Sequence, residues 1–194
     1  MSRFGLIVAG LLALLLIGFA SIVRVTGPGW SGAGGGGVAT GTTIGKGTSY
    51  AGTLVIPVQG VSTAALHDDW AEPRGDGTRV HHAIDIMAAR GTPVLAAADG
   101  RIEKLFQSRL GGTTIYQRSA DGGTVFYYAH LDHYAPTLVE GQAVKAGQEI
   151  AAVGSTGDAD AGAPHLHFEI HAMAPGERWW QGTEVNPYPV LARK

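Results

Sequence analysis

Eight histidines stand in this 194-residue chain beside no cysteine. Thiolate chemistry is therefore closed to it: there is no disulfide framework, no thiolate zinc site and no cysteine to carry a lipid. Any metal ion must be held by His, Asp or Glu, and here placement counts for more than number. His81 and Asp85 are four residues apart. On an extended strand, with Ala83 between them, both fall on one face while His82, Ile84 and Ile86 point away. His165 and His167 share a face in the same way, opposite Leu166, Phe168 and Ile170. Catalytic zinc takes three nitrogen or oxygen ligands at ~2.0–2.2 Å and keeps a fourth position for water, so two such motifs on neighbouring strands suffice to build a site. A lone His-x-His on a strand face is more commonly a cross-strand pair, and spacing alone leaves that reading open.

The two motifs belong to a longer ordered series. His81-x-x-x-Asp85-Ile86 is followed by Gly91-Thr92-Pro93-Val94, then Tyr128-Ala129-His130-Leu131, then Gly154-Ser155-Thr156-Gly157, and finally Pro164-His165-Leu166-His167-Phe168-Glu169. This series resembles the M23 family of zinc peptidases, the lysostaphin-like and LytM-type cell-wall endopeptidases, over residues 55–189. The resemblance implies a mainly β fold, an antiparallel sheet domain with zinc in a groove. It implies His81, Asp85 and His167 as the ligands of Zn2+, and His130 and His165 as the catalytic pair. Its implied substrate is the peptide part of bacterial peptidoglycan, either stem peptides or cross-bridges. Family members with eroded sites act instead as non-catalytic wall-binding modules or as activators of a partner hydrolase, whereas here all five positions are filled. Two departures touch the groove wall: Ala83 stands where glycine is frequent, and residues 158–163 are rich in Asp and Ala where many members have Ser-Thr-Gly. His67, His82, His133 and His171 read as groove-edge or solvent residues, and Trp70, Trp179 and Trp180 as core or rim.

The elements that must position these residues read as strands. From Leu54 onward the runs are short, rich in Val, Ile, Thr and aromatics, and broken by Gly or Pro every eight to twelve residues. Gly91 and Gly100 bracket one strand, Ser119-Ala120-Asp121-Gly122-Gly123 reads as a hairpin turn, and Gly141, Gly147 and Gly154 punctuate another pair. No long helix is expected in this part, so residues 53–194 form one β domain.

Two segments precede it. Residues 4–23 are uncharged and mostly apolar, long enough at ~1.5 Å per residue for a helix to cross a ~30 Å hydrocarbon layer. Residues 1–26 are thus expected to be a transmembrane anchor; Gly18-Phe19-Ala20 is also a small-x-small site at which a signal peptidase could release a secreted form. Arg3 and the amino terminus lie before the span, which places the N-terminus inside and the domain on the periplasmic or cell-wall side. Residues 27–52 hold eleven glycines and no acid, and read as a flexible linker. All sixteen acidic residues lie beyond this linker while three of the fourteen basic ones precede Tyr50, so the domain is net negative and excludes nucleic acid as a partner of its overall field. No residue pattern identifies a protein regulator.

Overall fold

The computed structural model describes residues 52–193. The expected anchor at 1–26 and all but the last residue of the expected linker lie outside the described residues. Among the described residues, no helix is long and apolar enough to cross a membrane.

A two-stranded hairpin comes first, β1 (Pro73–Arg74) against β2 (Arg79–Val80). The main sheet is built from β3 (Ile84–Met87), β4 (Pro93–Leu95), β5 (Gly100–Ser108), β6 (Gly112–Ser119), β7 (Thr124–Tyr134), β8 (Ala143–Val144), β9 (Glu149–Val153), β10 (His165–Ala172) and β11 (Thr183–Val185). Its pairings are antiparallel throughout. The only α-helix among the described residues is the four-residue α1 (Tyr188–Leu191). The long central strands run β10, β7, β6, β5, and the anticipated turn joins β6 to β7. There Asp121 accepts from the Ser119 hydroxyl at 2.6 Å and from the Gly123 N–H at 3.0 Å, closing the turn on its own side chain.

Period-2 alternation decides which face is core. Leu166, Phe168 and Ile170 of β10 are fully buried, together with Ile84 and Ile86 of β3 and Phe126 and Tyr128 of β7. Phe168 stacks on Phe126 at 6.2 Å and leans on Tyr128 at 5.2 Å. The polar groups of Tyr128 and Gln117 are satisfied: the Tyr128 hydroxyl donates to Gln117 Oε1 at 2.5 Å and accepts from the Ala97 N–H at 2.9 Å, while Gln117 donates to the Ala98 carbonyl at 2.6 Å. Every β10 side chain not in this core, from His165 to His171, stands on the opposite face.

Strand β7 breaks the alternation where it matters. Between Thr113 and Ile115 of β6 the facing strand steps from Leu131 to Tyr128, one residue more than its partner, so β7 bulges at Ala129 and His130. His130 has φ +59°, a left-handed conformation uncommon for a non-glycine residue. Strict alternation from the buried Tyr128 would send His130 into the core. The bulge turns it to the polar face and returns Leu131 to the core, where it is fully buried.

Since the core face holds the sheet's order, Phe168→Ala should lower stability by about 3–5 kcal/mol, the usual cost of truncating a buried Phe. Urea unfolding followed by tryptophan fluorescence measures it; a loss under 1 kcal/mol would show that this face is not what holds the sheet.

Candidate metal centre and catalytic pair

Three strands bring the site together. Asp85 on β3 lies directly opposite His167 on β10, and His167 lies opposite Ala129 on β7, next to the bulged His130. His81 differs from expectation: it is not on a strand but in the extended segment between β2 and β3, held by its N–H to the Glu72 carbonyl and its carbonyl to the Ala71 N–H. The expected shared face with Asp85 is still realised. His81 is 3% exposed.

The donor atoms converge closely. His81 Nε2 lies 3.1 Å from Asp85 Oδ1 and 3.2 Å from His167 Nδ1, and the last two are 3.0 Å apart. Four ligands at ~2.0–2.1 Å around a tetrahedral ion are separated by roughly 3.3 Å, so the triangle already has nearly the dimensions such an ion demands. The set is two imidazole nitrogens and one carboxylate oxygen, without sulfur, which suits zinc and related divalent ions.

Groups behind the candidate ligands select which ring nitrogens face one another. His167 Nε2 faces Glu169 Oε1 at 2.9 Å, so the proton held there leaves Nδ1 for an ion. Glu169 in turn meets His171 Nε2 at 2.5 Å, which makes His171, expected at the groove edge or in solvent, a half-buried brace. Once His81 gives Nε2 to an ion, its Nδ1 proton has the Asp69 carbonyl at 3.1 Å to receive it. Asp69 Oδ1 lies 3.7 Å from the same nitrogen and is buried with no hydrogen-bond partner. Asp69 Oδ2 accepts from the Asp85 N–H at 3.1 Å, and Arg74 Nη2 donates to Asp85 Oδ2 at 2.7 Å.

Charge is distributed to match. Burial disfavours ionised Asp85, yet bonds to His167 and His81 outweigh it and hold its carboxyl well below the usual range. Burial likewise pulls His167 down, but its bonds to Asp85 and Glu169 prevail and raise it to about 9. Glu169, buried but bonded to both His167 and His171, is held at about 2.

The remaining two histidines face this triangle. His130 Nδ1 donates to the Thr156 carbonyl at 2.8 Å and His165 Nδ1 to the Ala163 carbonyl at 2.8 Å, leaving Nε2 of each unengaged by those bonds. The rings are 5.0 Å apart, and His165 Nε2 is 3.8 Å from Asp85 Oδ1. His130 is 7% exposed, and burial keeps its pKa below the ordinary value despite the Thr156 carbonyl, so it is neutral near pH 7. Thr156 is itself clamped, its hydroxyl donating to the Leu131 carbonyl at 2.8 Å and accepting from the Thr113 N–H at 2.9 Å. Gly157 next to it needs its glycine: φ is +79°, and a Cβ would lie 2.0 Å from the Leu110 carbonyl oxygen.

A groove of about 570 Å³ opens over these residues. The hairpin forms one wall and residues 158–160 the other, joined across the mouth by Arg79 and Asp158 at 3.1 Å. His82 is exposed and stacks on Trp70 at 5.1 Å; His67 and His133 are exposed too. Trp179 packs on Tyr116 at 4.5 Å, and Trp180 is exposed. All five expected site residues are therefore brought together. Those missed were Glu169, Asp69, Arg74 and Thr156. Glu169 was signalled by its place on the His165–His167 face, and Thr156 stood in a noted motif, whereas nothing in the spacing pointed to Asp69 or Arg74.

Comparison with known proteins identifies the family. The chain is 35% identical over 128 residues to an L-Ala--D-Glu endopeptidase of Bacillus subtilis (strain 168), covering 63% of this chain and 38% of that protein. It is 33% identical over 111 residues to the murein hydrolase activator NlpD of Escherichia coli (strain K12), covering 57% of this chain and 26% of that protein. The chain thus spans well under half the length of either relative. Among solved structures, the catalytic domain of the antimicrobial peptidase lysostaphin from Staphylococcus simulans superposes with a TM-score of 0.56 at 31% identity, covering 66% of this chain and 92% of that one. Residues 79–187 match the model of peptidase family M23, more than half the chain, and the chain belongs to that family.

Proposed function

We propose that the protein is a zinc-dependent endopeptidase that hydrolyses peptide bonds of bacterial peptidoglycan, with His81, Asp85 and His167 as ligands and His130 and His165 as the catalytic pair. The observation that carries this reading is the convergence of three ligand atoms within 3.2 Å of one another, with two carbonyl-oriented imidazoles facing them. The substrate class rests on relatives named as an L-Ala--D-Glu endopeptidase and as lysostaphin. We also propose that residues 1–26 anchor the chain and that 27–52 tether an exported domain.

Zinc, when bound, polarises the scissile carbonyl and lowers the pKa of water toward ~7. The protein's own groups handle the protons. His130, neutral near pH 7 with Nδ1 committed to Thr156, accepts a proton at Nε2 and can return it to the departing amine. His165, fixed in the same tautomer by Ala163, faces the same space and stabilises charge developing on the carbonyl oxygen. Glu169 bonds His167, Asp69 takes the Asp85 N–H and Arg74 the Asp85 carboxylate, and these bonds keep the ligands aimed. A second reading, an activator of a partner hydrolase, is favoured by the match to NlpD, and wall digestion by the purified protein alone separates the two.

Ligands and catalytic residues should part experimentally. His81→Ala, Asp85→Ala and His167→Ala should lose zinc and muropeptide release together. His130→Ala and His165→Ala should keep near one zinc per chain while turnover falls by about 10²–10⁴. If all five variants still digest purified peptidoglycan, the proposal is wrong. Glu169→Ala should weaken zinc binding by about 10–100-fold in a chelator competition, as loss of a group orienting a ligand usually does. An unchanged affinity would leave Glu169 no such role. Because metal-free His167 carries a proton up to about pH 9, zinc uptake at pH 7.5 should release it, so apparent affinity should rise with pH up to about 9 and then level. Calorimetry in buffers of different ionisation enthalpy reads the proton directly; uptake without proton release contradicts the charge assignment.

A further inference from the structure

Asp85 has two carboxylate oxygens, and the structure uses them differently. Oδ1 faces both imidazoles, at 3.1 Å from His81 Nε2 and 3.0 Å from His167 Nδ1. Oδ2 is turned away and accepts from Arg74 Nη2 at 2.7 Å. A carboxylate offered to an ion can bind through one oxygen or through both, and the second mode fills a coordination position that a hydrolytic site needs for water. We propose that Arg74 is a positioning residue that holds Oδ2, so that Asp85 offers an ion Oδ1 alone and the position facing His130 and His165 stays open. This rests on the metal reading above and adds to it the residue that sets the ligand's mode.

The surroundings suit that role. Arg74 sits on the β1 hairpin, outside the main sheet and ahead of the family-matched segment 79–187, and it is half-buried over the groove. Its charge is met by more than Asp85: Asp69 Oδ2 is 3.8 Å and Glu72 Oε2 3.5 Å away, which offsets the repulsion a guanidinium would exert on a divalent ion nearby. The same Asp69 oxygen takes the Asp85 N–H at 3.1 Å, so the segment from Asp69 to Arg74 grips both backbone and side chain of the ligand. Arginine fits better than lysine because its rigid fork fixes direction as well as charge. Arg74 Nη2 also lies 3.2 Å from His81 Nδ1; with the proton of that nitrogen directed to the Asp69 carbonyl, the arginine's bond is the one to Asp85.

The test uses the purified full chain with Zn2+ or Co2+ alone as probes, comparing wild type, Arg74→Met and Arg74→Lys. Affinity is read by chelator competition, and coordination number by the visible absorption of bound Co2+, which is much stronger for four-coordinate than for five- or six-coordinate ions. Arg74→Met should bind zinc about 10–100-fold more weakly and show a weakened cobalt band as Asp85 engages its second oxygen. Arg74→Lys, which keeps charge and one donor, should restore most of the band. If Arg74→Met does not hold its thermal transition, Arg74→Gln, polar but too short to reach Oδ2, should show the same loss. Wild-type affinity and spectrum in a folded Arg74→Met or Arg74→Gln overturns the proposal alone, as does equal loss in Arg74→Lys. A wild type that takes up neither ion overturns the metal reading and this proposal with it.

Discussion

Four residue pairs set β3 against β10, and one of them is Asp85 opposite His167. The register is enforced from the other side of the sheet, where Ile84 and Ile86 pack beside Leu166 and Phe168 in a closed core. Sliding β3 by one residue would expose two isoleucines and bury a carboxylate whose hydrogen bonds are all on the polar face, a double penalty of several kcal/mol. Hydrophobic burial on one face thus fixes the separation of the two proposed ligand atoms on the other. His81 is then added by a non-repeating segment tied to Glu72 and Ala71 through its backbone.

The proposed catalytic pair is placed by two different devices. His165 follows from the alternation of β10, whereas His130 reaches the same face only through a bulge and a left-handed backbone. Such a conformation costs of order 1–3 kcal/mol and persists only when its surroundings over-determine it. They do so here: the His130 N–H bonds the Gly111 carbonyl at 2.8 Å, its ring bonds Thr156, and Thr156 is held from two further sides. The strained residue and the glycine-bearing loop that holds it are one unit.

What could be read from the residues follows the same division. Face alternation in 165–171, the turn at 119–123 and the absence of long helices among the described residues depend on local pattern and were legible. The mainly β, lysostaphin-like domain agrees with its structural neighbours, while the anchor and linker lie outside the described residues. The bulge at His130 was not legible, because a register shift depends on the partner strand and leaves no period of its own. Nor was the irregular path of His81, although its side chain arrives where a strand would have put it. Asp69, ahead of the β1–β2 hairpin, and Arg74, on it, act on Asp85 across 16 and 11 residues, and no spacing rule reaches them. His171, expected at the groove edge or in solvent, is drawn inward by Glu169, whose second oxygen needs a partner once the first is committed to His167.

The central claim is that two imidazole nitrogens and one carboxylate oxygen form a ready metal site. X-ray absorption at the zinc edge of the purified protein tests it most directly. The account predicts a shell of about four light ligands at ~2.0–2.1 Å with outer-shell scattering from two imidazoles, lost with the ion in His167→Ala. A six-coordinate all-oxygen shell, or a spectrum unchanged by that substitution, would contradict it.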